Sequence, residues 1–441
     1  MDSFNRRRFL AGSAATVAGP ALRAMAAPAE LDAVVVGAGA AGIAAARRLA
    51  AAGRRFALVE ATDRVGGRCI TDTAIFDVPF DRGAHWIHTP DLNPLAKLAP
   101  QTGLDIYPAP RGQRVRIGRR NAREGEMEDF LADLVRANRM IADAARGKTD
   151  VPCDQALPKD LGVWRPCIDF VLGPFGCGKD LDQVSAIDFS KSAERDVDAF
   201  CRQGYGALLA KLAAGLPLQL STPVTRIDWS GRRIEVRTSK GELDARSVIV
   251  TASTGVLAAN KIKFDPELPR RQLDAITKLS LGSYDHVAIQ FSGNPLGLDK
   301  DDLVFEQASD PKTAALLANV SGTTLCLVEV GGSFGASLSD AGPAAMVDFA
   351  VGWLAGLYGS EIKQAVRRSH ATQWNKEPWA LGAFSAAVPG GQFARRTLMD
   401  SMRDRVWFAG EAAHETLWGT VAGAWESGER AAEAVLKKLG R

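Results

Sequence analysis

The sequence predicts an α/β protein in which a Rossmann-like domain is interleaved with a second, mixed-sheet α+β domain. Three observations carry that expectation. Leu31–Val36 is a short β-branched apolar run that passes through Gly37-Ala38-Gly39-Ala40-Ala41-Gly42 into an Ala-rich helical stretch ending at Ala52. Far along the chain, Arg405–Glu411 reads as a strand entering a turn, and Gly419–Gly428 then leads into a helix to about Leu436. Between them, residues 283–291 alternate: Asp285, Val287, Ile289 and Phe291 share one strand face, and Tyr284, His286, Ala288 and Gln290 share the other, which is polar enough to line a cavity.

The first unit has the mechanics of a dinucleotide site. Gly37 permits the tight turn, Gly39 lets a pyrophosphate approach the backbone, and Gly42 lets the helix pack on the strand. The helix start around Ala41 then offers free N–H groups to the phosphates. A second strand, Arg55–Val59, ends in Glu60, 18 residues after Gly42, where an acid accepts bonds from a ribose 2′-OH.

Two further segments bring in a family. Arg64-Val65-Gly66-Gly67-Arg68 resembles the second signature of the FAD-containing amine oxidases, and Gly83-Ala84-His85-Trp86-Ile87-His88 is similar to their polyamine-oxidase branch. Val224–Ile227, Val248–Thr251 and Gly255–Leu257 follow in the family's order, so the resemblance runs from about residue 31 to the C-terminus. It implies a glutathione-reductase type FAD domain made of residues 29–95, 200–265 and 385–441, with a substrate domain from 96–199 and 266–384. It also implies cofactor contacts at Gly37, Gly39, Ala41, Gly42, Glu60, Arg64, Gly67, Arg68, His85, Trp86, Val224, Gly410, Glu411, Thr420 and Val421. Small residues at Gly419, Ala422 and Gly423 would let a flat ring approach the backbone, and a helix start there would stabilise the negative charge of reduced flavin.

The chemistry implied is hydride transfer from the carbon beside an amine nitrogen to flavin N5, with hydrolysis of the imine and reoxidation by O2 or another electron carrier. The residues assigned to it are His286, Phe384, Trp418, Thr420 and His85. Two departures from the family pattern matter. By spacing from Leu281-Gly282-Ser283, His286 stands where the family has a lysine holding water against N5; the plainer reading is a core histidine. Ala383 stands where monoamine oxidases carry the tethering cysteine, so FAD is expected to be non-covalent. Phe384 and Thr420 match the two tyrosines that sandwich the amine, leaving half the cage, with Trp418 near enough to substitute. An amino-acid oxidase, a flavin desaturase and a non-catalytic flavoprotein are the competing readings.

Composition agrees with a soluble two-domain chain: 441 residues, 46% hydrophobic and 24% charged. Arg6, Arg7, Arg8 and Arg23 against Asp2 account for the whole formal charge of +3, which leaves no basic face for nucleic acid. Residues 1–26, with Arg6-Arg7-Arg8-Phe9-Leu10, an apolar stretch and Ala24-Met25-Ala26, resemble a twin-arginine signal peptide and imply the export machinery as a partner and a periplasmic or secreted location. No later apolar run is long enough to span a membrane. The six cysteines are scattered without metal spacing, and a pair such as Cys167 and Cys177 could oxidise. Residues 125–147, with Met127, Phe130, Leu131, Leu134, Val135 and Ile141 at helical spacing, read as an amphipathic helix; 151–180 and 292–298 read as loops.

Overall fold

The computed structural model describes residues 30–193 and 197–440. The signal-peptide reading of residues 1–26 lies outside the described residues. In chain order, the elements that position the site are β1 (Leu31–Val36), α1 (Ala40–Ala51), β2 (Phe56–Val59), α2 (Glu124–Ala144), β3 (Gly241–Val250), β4 (Tyr284–Phe291), β5 (Leu325–Gly331), β6 (Val366–Ala371), β7 (Val406–Phe408) and α3 (Val421–Leu439).

In the larger sheet β1 lies parallel between β2 and β3, and β7 joins the far side of β3, also parallel. The apolar run of β1 is continuous because both faces are covered. Ala33 and Val35 pack towards α1 and α3, whereas Val34 and Val36 enter a second core with Val248, Val250 and Phe408. All four strands end on one edge, so Gly37, Glu60, Thr251 and Gly410 come together there although the chain separates them widely. That carboxyl edge is where open parallel sheets place ligands.

The second sheet has seven strands, with β4 antiparallel between β5 and β6. The alternation read in 283–291 holds: Val287, Ile289 and Phe291 enter a core beneath the helix Pro343–Tyr358, and His286 faces a cavity on the other side. The result is a mixed α/β fold with several sheets.

Three expectations need correction. Helix α2 forms, but only Phe130, Ala137 and Ile141 are fully buried; Leu131 and Val135 are exposed, because the helix covers the domain along a stripe narrower than its apolar content. Residues 151–180 are mostly short helical turns. Pro166 sits in the first turn of Arg165–Phe170, where a missing N–H costs nothing, and Cys167, Ile168, Phe170 and Leu172 bury in one apolar cluster. Cys167 and Cys177, the pair that could oxidise, are not bridged: no disulfide forms among the described residues, all six cysteines are buried, and burial pushes the Cys167 thiol up to about 12, the behaviour of a small core residue.

Candidate active site

A cavity of about 1020 Å³ runs from the carboxyl edge of the larger sheet to the polar face of β4. Every residue assigned a site role from the sequence lines it except Gly42. Gly42 instead packs helix on strand, since a Cβ there would collide with the Gly37 carbonyl. Gly37 has φ +101°, and a Cβ on it would collide with Thr251 Oγ1. Gly39 differs: a Cβ built on it would come no nearer than 3.9 Å to the backbone of Gly66 and Gly67, and the two glycine turns lie side by side, with Gly66 N–H donating to the Ala38 carbonyl at 2.9 Å. Gly39 is also the N-cap of α1 and supplies no side-chain cap, which leaves the first-turn N–H groups to an anion. This cradle fits the pyrophosphate of a dinucleotide.

Glu60 is held rigidly beside it. Ala38 N–H donates to Oε2 at 2.7 Å, and the Thr62 N–H and hydroxyl donate to Oε1 at 2.9 and 2.8 Å. Oε2 therefore keeps accepting capacity for a ribose hydroxyl. Arg64 donates to the Gly67 carbonyl at 3.0 Å and so tightens the second glycine turn. Arg68 is less free than the sequence suggested: it donates to the Ala383 carbonyl at 2.6 Å and pairs with Glu411 at 2.9 Å. Glu411 in turn accepts from Ser385 Oγ at 2.7 Å and Gly419 N–H at 3.1 Å. Burial pushes its carboxyl up, but Arg68, Ser385 and Arg395 outweigh that and hold it below its ordinary value. Glu411 is thus a charged strut joining three segments that border the cavity.

At the start of α3 the roles also differ from expectation. Thr420 is a helix cap: its Oγ1 accepts from Gly423 N–H at 2.9 Å and donates to the Leu417 carbonyl at 2.7 Å. Gly423 gives room to Leu417 rather than to a ring, because a Cβ there would collide with the Leu417 carbonyl. Gly419, with φ +71°, is the residue that lies against Phe384, and Val421 and Gly410 line the cavity on either side. Trp418 is buried under the guanidinium of Arg395, 4.6 Å from its ring centroid.

The wall opposite is aromatic. Tyr284 lies 5.6 Å from Phe384 and 6.2 Å from Phe175, centroid to centroid, and all three line the cavity. Phe175 went unnoticed in the sequence because it stands in a stretch read as loop. His85 stacks on Phe200 at 4.6 Å, beside Trp86, and its Nδ1 lies 2.8 Å from Asp81 Oδ2. Val224 borders the cavity from the end of its own strand.

His286 lines the cavity, but its nitrogens are turned to protein groups. Nδ1 donates to the Asp81 carbonyl at 3.0 Å, and Nε2 lies 3.6 Å from Glu329 Oε1. Burial lowers its pKa to about 4, which leaves the imidazole uncharged near neutral pH. Glu329 was also overlooked; the signal was a single acid inside the apolar run Leu325–Gly331.

The family model described as flavin containing amine oxidoreductase matches residues 40–150 and 154–436. The chain is 27% identical over 436 residues to lysine-specific histone demethylase 2 of Homo sapiens, covering 91% of this chain and 53% of that protein. It is 26% identical over 440 residues to polyamine oxidase 4 of Oryza sativa subsp. japonica, covering 92% and 88%. The chain spans about half the length of the lysine-specific histone demethylases it matches. Its fold is that of cyclohexylamine oxidase from Brevibacterium oxydans, with a TM-score of 0.79 at 22% identity over 93% of this chain and 100% of that one.

Proposed function

This chain belongs to the flavin containing amine oxidoreductase family, and on that premise we propose that it oxidises primary or secondary amines, di- or polyamines foremost, to imines that water then hydrolyses. The observation that supports the reading best is the single cavity joining the dinucleotide cradle to the wall of Phe175, Tyr284 and Phe384. FAD is the cofactor, as throughout this family; when bound, it supplies the acceptor for the hydride that leaves the carbon beside the nitrogen.

The chain's own residues bind, orient and dry. In this reading the Gly39 and Gly66-Gly67 turns and the start of α1 hold the phosphates, and Glu60 Oε2 takes a ribose hydroxyl. The capped start of α3 faces the ring end with its positive dipole. Phe175, Tyr284 and Phe384 exclude water, and a dry aromatic wall favours the neutral amine, the reactive form. Of the arginines lining the cavity, Arg64 is bonded to the Gly67 carbonyl of the cradle and Arg68 to Ala383 and Glu411, so among the described residues no further arginine there serves an α-carboxylate. Ala383 lines the cavity without a thiol, and the FAD is non-covalent in this reading. The reading also takes residues 29–95, 200–265 and 385–441 as the FAD domain, residues 1–26 as an export signal, and O2 or an electron carrier as the acceptor.

The test is anaerobic mixing of the purified protein with a panel of amines while flavin absorbance is followed. Bleaching by di- or polyamines, faster as pH rises and more amine is neutral, is the expected result. A preference for α-amino acids over their decarboxylated amines would replace this reading with an amino-acid oxidase, and no bleaching by any member would point to a non-catalytic flavoprotein.

A further inference from the structure

We infer that Glu329 and His286 act as one buried acid–imidazole pair: Glu329 holds a shared proton on its carboxyl, keeps the imidazole uncharged, and passes the proton to Nε2 when negative charge forms in the cavity. The geometry begins with register. His286 on β4 and Glu329 on β5 are directly opposed cross-strand neighbours, which places their side chains on the same sheet face. The Asp81 carbonyl can only accept, so Nδ1 of His286 carries the hydrogen, and in the neutral ring Nε2 is left with a lone pair. That lone pair is the atom 3.6 Å from Glu329 Oε1, a few tenths of an ångström beyond hydrogen-bond reach.

Glu329 is 0% exposed, and neither oxygen has a partner at ordinary hydrogen-bond geometry; Tyr284 and Trp86 approach the same carboxyl from outside that geometry. An ionised carboxylate so placed would have only Tyr284, Trp86 and His85 to offset its desolvation, which burial outweighs, whereas the protonated acid buries no charge and has the Nε2 lone pair as its nearest base, 3.6 Å away. The other charged or titratable groups around the pair are Asp81, His85 and, through one hydroxyl, Asp285. Asp81 is already engaged by His85 Nδ1, the Thr71 hydroxyl and Tyr205 N–H, and past the end of β6 the Thr372 hydroxyl accepts from His286 N–H and donates to Asp285 Oδ1, an arrangement present alike in the wild type and the variants below. Burial pushes Glu329 from 4.5 to about 7 and His286 from 6.5 down to about 4. Between about pH 4.5 and 6.5, folding thereby moves one proton from imidazole to carboxyl without changing the number bound. In the transfer itself the Glu329 O–H bond breaks and an N–H bond forms at Nε2, giving carboxylate and imidazolium; no electrons change hands. His286 faces the cavity, so the charge appears at its wall.

The experiment uses the FAD-loaded protein and reduces it with dithionite, so it does not depend on which amine is oxidised. Infrared difference spectra at pH 6 are expected to lose a protonated-carboxyl C=O band on reduction in the wild type. In E329Q the band is absent, and in H286N it survives reduction because the proton has no base to accept it. Stability against pH is the second readout. Glu329, with its raised pKa, contributes stability that is present below about 4.5 and is lost as pH rises to about 7; His286, with its lowered pKa, contributes stability that grows between about 4 and 6.5. The two cancel in the wild type. E329Q should therefore gain stability relative to wild type as pH rises from 4.5 to 6.5, with a slope of about one proton, and H286N should lose it. A carboxyl band that ignores reduction in the wild type, or a change that persists in E329Q, overturns the proposal, as do variants whose pH profiles run parallel to the wild type. Should E329Q not fold, the wild type and H286N decide the matter by themselves.

Discussion

Arg395 is 2% exposed and meets Asp188 through two bonds, Nε to Oδ1 and Nη2 to Oδ2, each 2.8 Å. Its Nη1 donates to Ser385 Oγ at 3.0 Å, and its face covers Trp418. Because Ser385 also donates to Glu411, one buried cation ties Asp188 and Trp418 to the Arg68–Glu411 pair. Removing half of a buried pair leaves the other charge uncompensated. Asp188→Asn should therefore cost about 3–5 kcal/mol in denaturant unfolding and loosen FAD retention. A loss under about 1 kcal/mol would show that Ser385 and the neighbouring carbonyls suffice for the guanidinium. Thr420 teaches the same lesson at smaller scale: a side chain placed at the ring by spacing is spent on its own helix.

Helix α3 is set against α1 by the absence of side chains. A Cβ on Gly428 would collide with the Ala41 carbonyl, one residue from the α1 N-terminus that faces the cavity. Gly428→Ala should destabilise the fold by about 1–3 kcal/mol and lower the flavin content of the purified protein, since α1 must shift with its phosphate end. Gly352, inside the helix Pro343–Tyr358, is the contrasting case: a Cβ there meets nothing within 4 Å. Gly352→Ala should stabilise by about 0.4–1 kcal/mol with flavin content unchanged. Equal effects of the two substitutions on FAD would show that α3 does not set the position of α1. Such close approaches cannot be read from composition, in which both residues are simply glycines in helices.

The molecule as a whole is organised around a cavity that two sheets share, and its stability should follow the cofactor by mass action. With Ala383 at the tether position, acid or heat precipitation should release FAD into the supernatant, and adding FAD to about 100 times its Kd should stabilise the apoprotein by about 2.7 kcal/mol, seen as a rising Tm. Flavin that stays with the pellet would mean a covalent bond elsewhere in the chain. The glycine turn at Gly37–Gly42, the acid at Glu60 and the alternation of β4 were legible in the sequence, because each is a local rule: φ above zero, a strand's length to the next acid, a period of two. Tertiary structure alone decided which groups His286, Arg68 and Thr420 bond to, and that Glu329 lies opposite His286. Those facts depend on strand register and on helix packing between residues far apart in the chain, and a pKa depends on the burial that such packing creates.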